Sequence, residues 1–138
     1  MPEISILHAL SAMFAGGAAA SGWTVAVIVA NSAFEGLDAG RADRTLRRML
    51  VASATFQASL LGVAAALAVI KGANGAAIMS VVAALGFLSN IWTLAPRREK
   101  ALPGARKRLK TGRMVAVALT LMVTLVAAIG AILAAFGI

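Results

Sequence analysis

The chain has 138 residues, of which 61% are hydrophobic, and its formal net charge is +8. Its length fits one domain, but its mean hydropathy of +0.92 lies above the range of soluble globular domains, in which about half of the residues are apolar. The lack of cysteine excludes disulfides, thiol catalysis and cysteine-bound metals. A single histidine cannot form a bis-histidine haem or a three-ligand metal site, so we expect no metal and no cofactor.

Uncharged apolar runs follow one another along the chain, at 4–34, 49–70, 72–96 and 114–138. Each is long enough to cross about 30 Å of hydrocarbon, which takes about 20 helical residues. The apolar residues surround each segment and do not alternate, which indicates helices and not the strands of a lipid-facing barrel. The sequence therefore predicts an all-α, integral membrane four-helix bundle, running up-down-up-down as a single domain, with helices at about 5–33, 46–70, 74–95 and 112–137.

The ends of these helices carry local signals. The first run is too long for one crossing and too short for two, so one of its ends should lie among lipid headgroups. No basic stretch precedes it, so we expect a permanent helix and not a cleaved signal peptide.

Asp43 is expected to cap the second helix. The segment 71–75 (Lys-Gly-Ala-Asn-Gly) contains residues that tolerate positive φ, which predicts a tight hairpin.

The 13 Lys and Arg residues, except Lys71, lie in two segments, 41–48 and 97–113. With four crossings, the loops 35–48 and 97–113 face one side of the membrane and both termini face the other. The positive-inside rule places the loops in the cytoplasm and both termini on the non-cytoplasmic side. The sequence thus predicts a multi-pass protein of the bacterial inner membrane, whose partners include anionic headgroups at the cytoplasmic face and exclude nucleic acid.

The second basic loop holds more positive charge than orientation requires. Setting the topology and meeting lipid headgroups explain most such loops. The surplus makes this loop a candidate for docking an anionic lipid or an acidic protein, through Arg97, Arg98, Arg106, Lys107, Arg108 and Lys110.

Small residues recur four positions apart on two helices, at Ala12, Gly16 and Ala20 and at Ala54, Ala58 and Gly62. Small residues allow transmembrane helices to approach closely and to gain van der Waals contact. The favoured interpretation is that these positions hold the chain's own bundle together. The alternative is an interface with a second copy of the chain or with a partner helix.

Polar side chains within the spans are candidates for a polar lining, since such residues are costly in lipid and tend to face inward. They are His8, Asn31, Ser53, Gln57 and Asn90. Asn31 and Asn90 are expected at one level, and Ser53 is expected to share the face of Gln57. Interhelical hydrogen bonds and headgroup contacts would explain these residues structurally, and a ligand or substrate site is the alternative.

Chemistry-bearing patterns are missing from the rest of the chain. All five carboxylates fall outside the spans or at their edges, whereas a proton-coupled transporter normally needs an intramembrane carboxylate or a histidine relay. No carboxylate pair, nucleophile–base set or phosphate loop is visible.

The main hypothesis is a non-catalytic accessory or oligomeric subunit that packs with partner transmembrane helices and anionic lipid. The alternative is a small channel or facilitator for a solute or lipid.

Three short motifs carry a resemblance to a known family: Phe14-Ala-Gly-Gly17, Phe34-Glu-Gly-Leu-Asp38 and Thr93-Leu-Ala-Pro-Arg97. Over about residues 10–105 the chain resembles the anthrone oxygenase-like group of four-helix bacterial membrane proteins. The resemblance implies the four-helix bundle and an association with quinone-like aromatic molecules, which gives a third hypothesis, a membrane enzyme. No position matches a catalytic motif, so no catalytic residue is carried over, and His8 is the only ionisable group that this hypothesis offers within the membrane.

Overall fold

The structure, a computed structural model, describes residues 2–94 and 105–138, without the side chains of 2–5, 33, 34, 39 and 105–113. Its elements are α1 (Pro2–Trp23), a π-helical segment (Thr24–Val29), α2 (Ala30–Gly36), α3 (Ala39–Ile70), α4 (Asn74–Thr93) and α5 (Ala105–Phe136). Four stretches are long and apolar enough to cross a membrane: Ile6–Ser32, Gly40–Ile70, Asn74–Thr93 and Met114–Phe136. The described residues confirm the all-helical prediction with four candidate spans.

Two helices begin earlier than predicted and include basic residues that were expected in loops. α3 begins at Ala39 and not at about 46, and α5 begins at Ala105 and not at about 112. Arginine and lysine are good helix formers, so charge can mark the edge of the hydrocarbon without ending a helix. The expectation that Asp43 caps α3 was wrong: Asp43 lies inside the helix, where its carboxylate pairs with Arg47 over 2.9 Å.

Asp38 occupies the N-terminal boundary of α3, with φ of −56° and ψ of 144° and no side-chain capping bond. Its backbone oxygen accepts hydrogen bonds from the N–H groups of Arg41 and Ala42, both over 2.9 Å. At the other end of α3, Gly72 adopts a φ of +74°, and the Ala73 N–H donates to the Ala68 oxygen over 2.9 Å. This positive-φ turn leads directly into α4.

The helices form a four-cornered bundle in which α1 and α4 each pack against both α3 and α5. Neighbours run antiparallel, because the beginning of one helix contacts the end of the next. Ser11 near the start of α1 hydrogen-bonds to Ala64 late in α3, and the Ala76 N–H at the start of α4 donates to the oxygen of Ile138 over 3.0 Å. The beginning of α1, the α3–α4 turn and the end of α5 therefore lie at one end of the bundle, which we call the turn end.

The centre of the bundle is built from small residues around one aromatic ring. Buried alanines from all four long helices surround the fully buried Phe87, namely Ala15, Ala18, Ala64, Ala83 and Ala127. In lipid the hydrophobic effect does not drive helices together. Small side chains instead let the helices approach closely and gain van der Waals contact. Gly86 of α4 lies tightly against α5, because a Cβ there would lie 2.5 Å from Cγ2 of Val123.

Candidate functional site

A layer of buried polar side chains crosses the bundle between its centre and the end opposite the turn end. Gln57 comes from α3, Asn90 from α4, and Thr120 and Thr124 from α5, and all four are buried. Because unpaired polar groups are costly in a hydrocarbon environment, the hydrogen-bond partners of this layer decide what it can do.

Gln57 ties α3 to α1. Its partners assign the orientation of the amide: Nε2 donates to the Ser53 backbone oxygen over 3.2 Å. Oε1 accepts from the Gly22 N–H over 3.1 Å, and it lies 3.2 Å from the Ser21 hydroxyl, which also lies 3.0 Å from the Ala18 backbone oxygen. Both amide atoms of Gln57 are therefore engaged, and they hold α1 just before the chain enters the π-helical segment.

Asn90 ties α4 to α5. Its Nδ2 donates to Oγ1 of Thr120 over 2.7 Å, and the Thr120 hydroxyl donates to the backbone oxygen of Ala116 over 2.7 Å. Oδ1 of Asn90 is buried and has no hydrogen-bond partner among the described residues. Asn90 therefore keeps one unused acceptor within the bundle.

Gly22 of α1 lies against residues of α3, α4 and α5 at the level of the polar layer. A Cβ at this position would lie 3.1 Å from Cζ of Phe87 and would also collide with Oγ1 of Thr124. α1 thus contacts α3 through Gln57, α4 through Phe87 and α5 through Thr124 within one turn of helix. The groups of this layer are amides and hydroxyls, which hydrogen-bond but do not titrate near neutral pH, so the layer is suited to fixing helices.

The five predicted lining residues do not converge on one path. Ser53 and Gln57 share a face, as expected, and are in contact through the Ser53 backbone oxygen. Asn90 is buried, whereas Asn31 is exposed on α2. His8 is half-buried at the turn end, where its ring lies against Gly137, and its buried Nε2 has no partner within the described part of the chain.

Sequence reasoning missed the buried hydroxyls. Thr120 and Thr124 are spaced four apart, which places them on one helix face. Thr124 donates to the Thr120 oxygen over 2.7 Å, and Ser11 donates to the Ala64 oxygen over 2.9 Å. The spacing of the two threonines is the one signal in the sequence that marks them as a pair.

The predicted small-residue positions divide between the inside and the outside of the bundle. Ala54 is fully buried; Ala12, Gly16 and Ala58 are half-buried, and Ala20 and Gly62 are exposed. A Cβ on Gly16 or Gly62 would meet no heavy atom within 4 Å. A spacing of four advances about 40° around a helix of 3.6 residues per turn, so such a series cannot stay on one face.

One continuous line of small and hydroxyl-bearing residues does lie on the outside of α3, and we call it the α3 outer face. All of its members are exposed: Ala52, Thr55, Ser59, Gly62 and Ala66. Its alternating spacing of three and four keeps these residues on one side of the helix. The hydroxyls of Thr55 and Ser59 donate to backbone oxygens of α3 itself, over 3.1 and 2.8 Å.

α4 and α5 present a different surface, whereas α1 also exposes small residues at Ala9, Gly17 and Ala20. The exposed residues of α4 include Ile78, Val81, Val82 and Leu85, and those of α5 include Met122, Leu125, Ile129 and Ile132. These bulky aliphatic faces suit lipid chains, whereas interfaces between transmembrane helices are enriched in small residues. Exposed Phe56 and Val63 lie beside the α3 outer face, but along its own line a neighbouring helix could approach more closely than on these faces of α4 and α5.

The same line continues into three exposed arginines, Arg41, Arg44 and Arg48, which we call the arginine row. Arg47 lies beside the row, half-buried and paired with Asp43. The row and the α3 outer face therefore form one surface, basic at the end opposite the turn end and uncharged along the rest of α3.

The structure describes none of the side chains that were predicted to dock a lipid or an acidic protein. Arg97 and Arg98 lie outside the described residues. Arg106, Lys107, Arg108 and Lys110 belong to α5 by their backbone, but their side chains lie outside the described part.

Comparison of the chain with protein-family models, with curated proteins and with solved structures finds no match.

Proposed function

We propose that the chain is a non-catalytic subunit of the bacterial inner membrane that associates with a second copy of itself through the α3 outer face. The observation that carries the proposal is the contrast between this small, exposed face and the bulky aliphatic faces of α4 and α5. Small residues favour helix–helix contact in lipid because they let backbones approach closely. An added side chain on Gly62 would meet open space within the chain itself, so this position is available to a neighbour.

The charge distribution supports one orientation for every copy. The positive-inside rule places both basic segments in the cytoplasm and both termini outside. Two copies with the same orientation present the same face to each other about a two-fold axis along the membrane normal, so their α3 helices run parallel. Such an interface is self-complementary, as in most homodimers.

Engineered cysteines test the dimer directly, since the chain has no cysteine of its own. Ser59→Cys lies on the α3 outer face, and Ala118→Cys is an exposed control on α5. We expect oxidation in native membranes to cross-link Ser59→Cys chains to each other and to leave Ala118→Cys chains monomeric. Equal cross-linking of the two variants would contradict the proposal.

A bulky substitution tests whether the small size of the face matters. Ala66→Leu should reduce the dimer fraction of Ser59→Cys chains several-fold, because a large side chain keeps the two helices apart. Ala118→Leu makes the same change on α5 and should leave the dimer fraction unchanged. A dimer that tolerates Ala66→Leu as well as Ala118→Leu would rule out this face.

The two other hypotheses have less support. A polar path for a solute would need Gln57, Asn31 and Asn90 to share a lining, but both amide atoms of Gln57 already bind groups of α1 and α3, and Asn31 is exposed. An enzyme for a quinone-like substrate would rely on His8, which lies at the opposite end of α1 from the polar layer. The resemblance to the anthrone oxygenase-like group remains the reason to test aromatic substrates.

A further inference from the structure

We infer that the proposed dimer requires an anionic phospholipid bound between the arginine rows of its two α3 helices. The inference rests on the proposed function, because it concerns what lies at the end of the same surface. Arg44 and Arg48 are one turn apart and both exposed, and Arg41 extends the row by another turn. The row follows the line of Ala52, Thr55 and Ser59 without a break.

The depth of the row matches that of lipid headgroups. About 20 helical residues cross the hydrocarbon, so counting back from Ile70 at the end of α3 places its boundary near residue 50. Arg48 then lies at that boundary, and Arg44 lies about 6 Å further out at 1.5 Å per residue. Guanidinium groups at this depth meet phosphates.

Within the described residues the row has little counter-charge. Asp43, the carboxylate nearest in sequence, pairs with Arg47 over 2.9 Å. Glu35 and Asp38 are exposed near the α2–α3 connection. The three arginines of the row form no ion pair in the described part of the chain. Their charge is therefore available to a ligand.

Dimerisation creates repulsion between the two arginine rows, and a bound anionic lipid would offset it. Parallel α3 helices joined along their outer faces bring each arginine row opposite its copy, and like charges facing each other oppose association. The phosphodiester of an anionic phospholipid carries a negative charge that no headgroup cation compensates, and arginine binds phosphate in a bidentate manner. The acyl chains of a phospholipid can remain in the hydrocarbon beside the two α3 helices. An anionic phospholipid thus brings its charge to the depth of the arginine row, which an acidic soluble protein does not.

The test measures the dimer fraction in bilayers of two compositions. Ser59→Cys protein is reconstituted in phosphatidylcholine alone and in phosphatidylcholine mixed with phosphatidylglycerol, and it is cross-linked at the same protein-to-lipid ratio. We expect a several-fold larger dimer fraction in the presence of phosphatidylglycerol. Adding Arg44→Gln and Arg48→Gln should remove this dependence, because the repulsion is then gone, and should give a high dimer fraction in phosphatidylcholine alone.

A charge-matched control removes two positive charges from the second basic segment. Lys100→Gln with Arg113→Gln should keep the dependence on phosphatidylglycerol. The inference is overturned if the parent dimerises equally in both bilayers, or if both double variants respond alike, since net charge would then be the cause. A monomer in both bilayers would instead contradict the proposed dimer itself, so the two failures can be told apart.

Discussion

The backbone N–H of Gly22 donates a hydrogen bond to Oε1 of Gln57 over 3.1 Å, so a side chain of α3 holds α1 immediately before its π-helical segment. π-helical turns leave the regular i to i−4 pattern. The amide of Gln57 thus joins α3 to α1 two residues before this change of pattern. Gln57 therefore joins two helices, and the same glycine also lies against Phe87 of the core and Thr124 of the polar layer.

Gln57→Leu should lower the free energy of unfolding by about 1–3 kcal/mol, because a buried donor loses its acceptor while the side-chain volume is kept. The measurement is unfolding by sodium dodecyl sulfate in mixed micelles. Ser53→Ala is the matched control: Gln57 donates to the backbone oxygen of Ser53, and the Ser53 hydroxyl bonds to Leu50. Equal stability of the two variants would refute the role given to Gln57.

The bond between Asn90 and Thr120 should appear as an interaction energy in a double-mutant cycle. With Asn90→Leu and Thr120→Val we expect a coupling of about 0.6 kcal/mol, and no more than about 1.7 kcal/mol, as for other interhelical hydrogen bonds in membranes. Unfolding in mixed micelles again provides the free energies.

A second cycle, with Asn90→Leu and Thr124→Val, controls for this result. The Thr124 hydroxyl donates to the backbone oxygen of Thr120 on its own helix, and not to Asn90. This cycle should show no coupling. If the two cycles gave the same energy, the Asn90–Thr120 bond would not be what joins α4 to α5.

The four spans could be predicted because hydrocarbon thickness sets a minimum length and the cost of charge sets the limits of each run. The burial of Gln57 and Asn90 follows from the same cost. The start of α3 could not be read in this way. Arg41, Arg44 and Arg48 mark where the helix leaves the hydrocarbon, but nothing in their charge says that the helix itself ends there.

Hydroxyl and glycine positions are ambiguous for a different reason. A threonine in a helix can donate to a carbonyl of its own preceding turn, so its polarity does not force it inward. Thr55 does this on the outside of the bundle and Thr120 does it inside. Gly16 and Gly22 lie on the same helix, yet only Gly22 contacts its neighbours closely. Their roles depend on how α1 is rotated, which the spacing of small residues does not determine.

Gly86→Ala should destabilise the bundle by about 1–3 kcal/mol, because its Cβ would lie 2.5 Å from Cγ2 and 3.0 Å from Cγ1 of Val123 and overpacking forces the helices apart. Gly16→Ala is the matched control. Its Cβ meets no atom within 4 Å, so it should raise stability by up to about 1 kcal/mol through helix propensity.

The Val123→Ala background identifies the cause of the Gly86→Ala effect. Without the two γ-carbons the added methyl group has room, so Gly86→Ala should cost little there. Thermal unfolding in mild detergent ranks the four variants. A Gly86→Ala protein as stable as the Gly16→Ala protein would show that α4 and α5 are further apart than the structure has them.

Gly72 and Gly137 both adopt positive φ, +74° and +72°, but only Gly137 lies against another side chain, with a Cβ position 2.9 Å from Cε1 of His8. Alanine in a left-handed conformation costs about 1–2 kcal/mol, so Gly72→Ala should lose that amount and Gly137→Ala more. In a His8→Ala background the two substitutions should cost the same, because the ring no longer blocks the methyl group. Thermal unfolding in detergent measures all of these differences. Equal costs in the parent protein would mean that His8 does not pack on the end of α5.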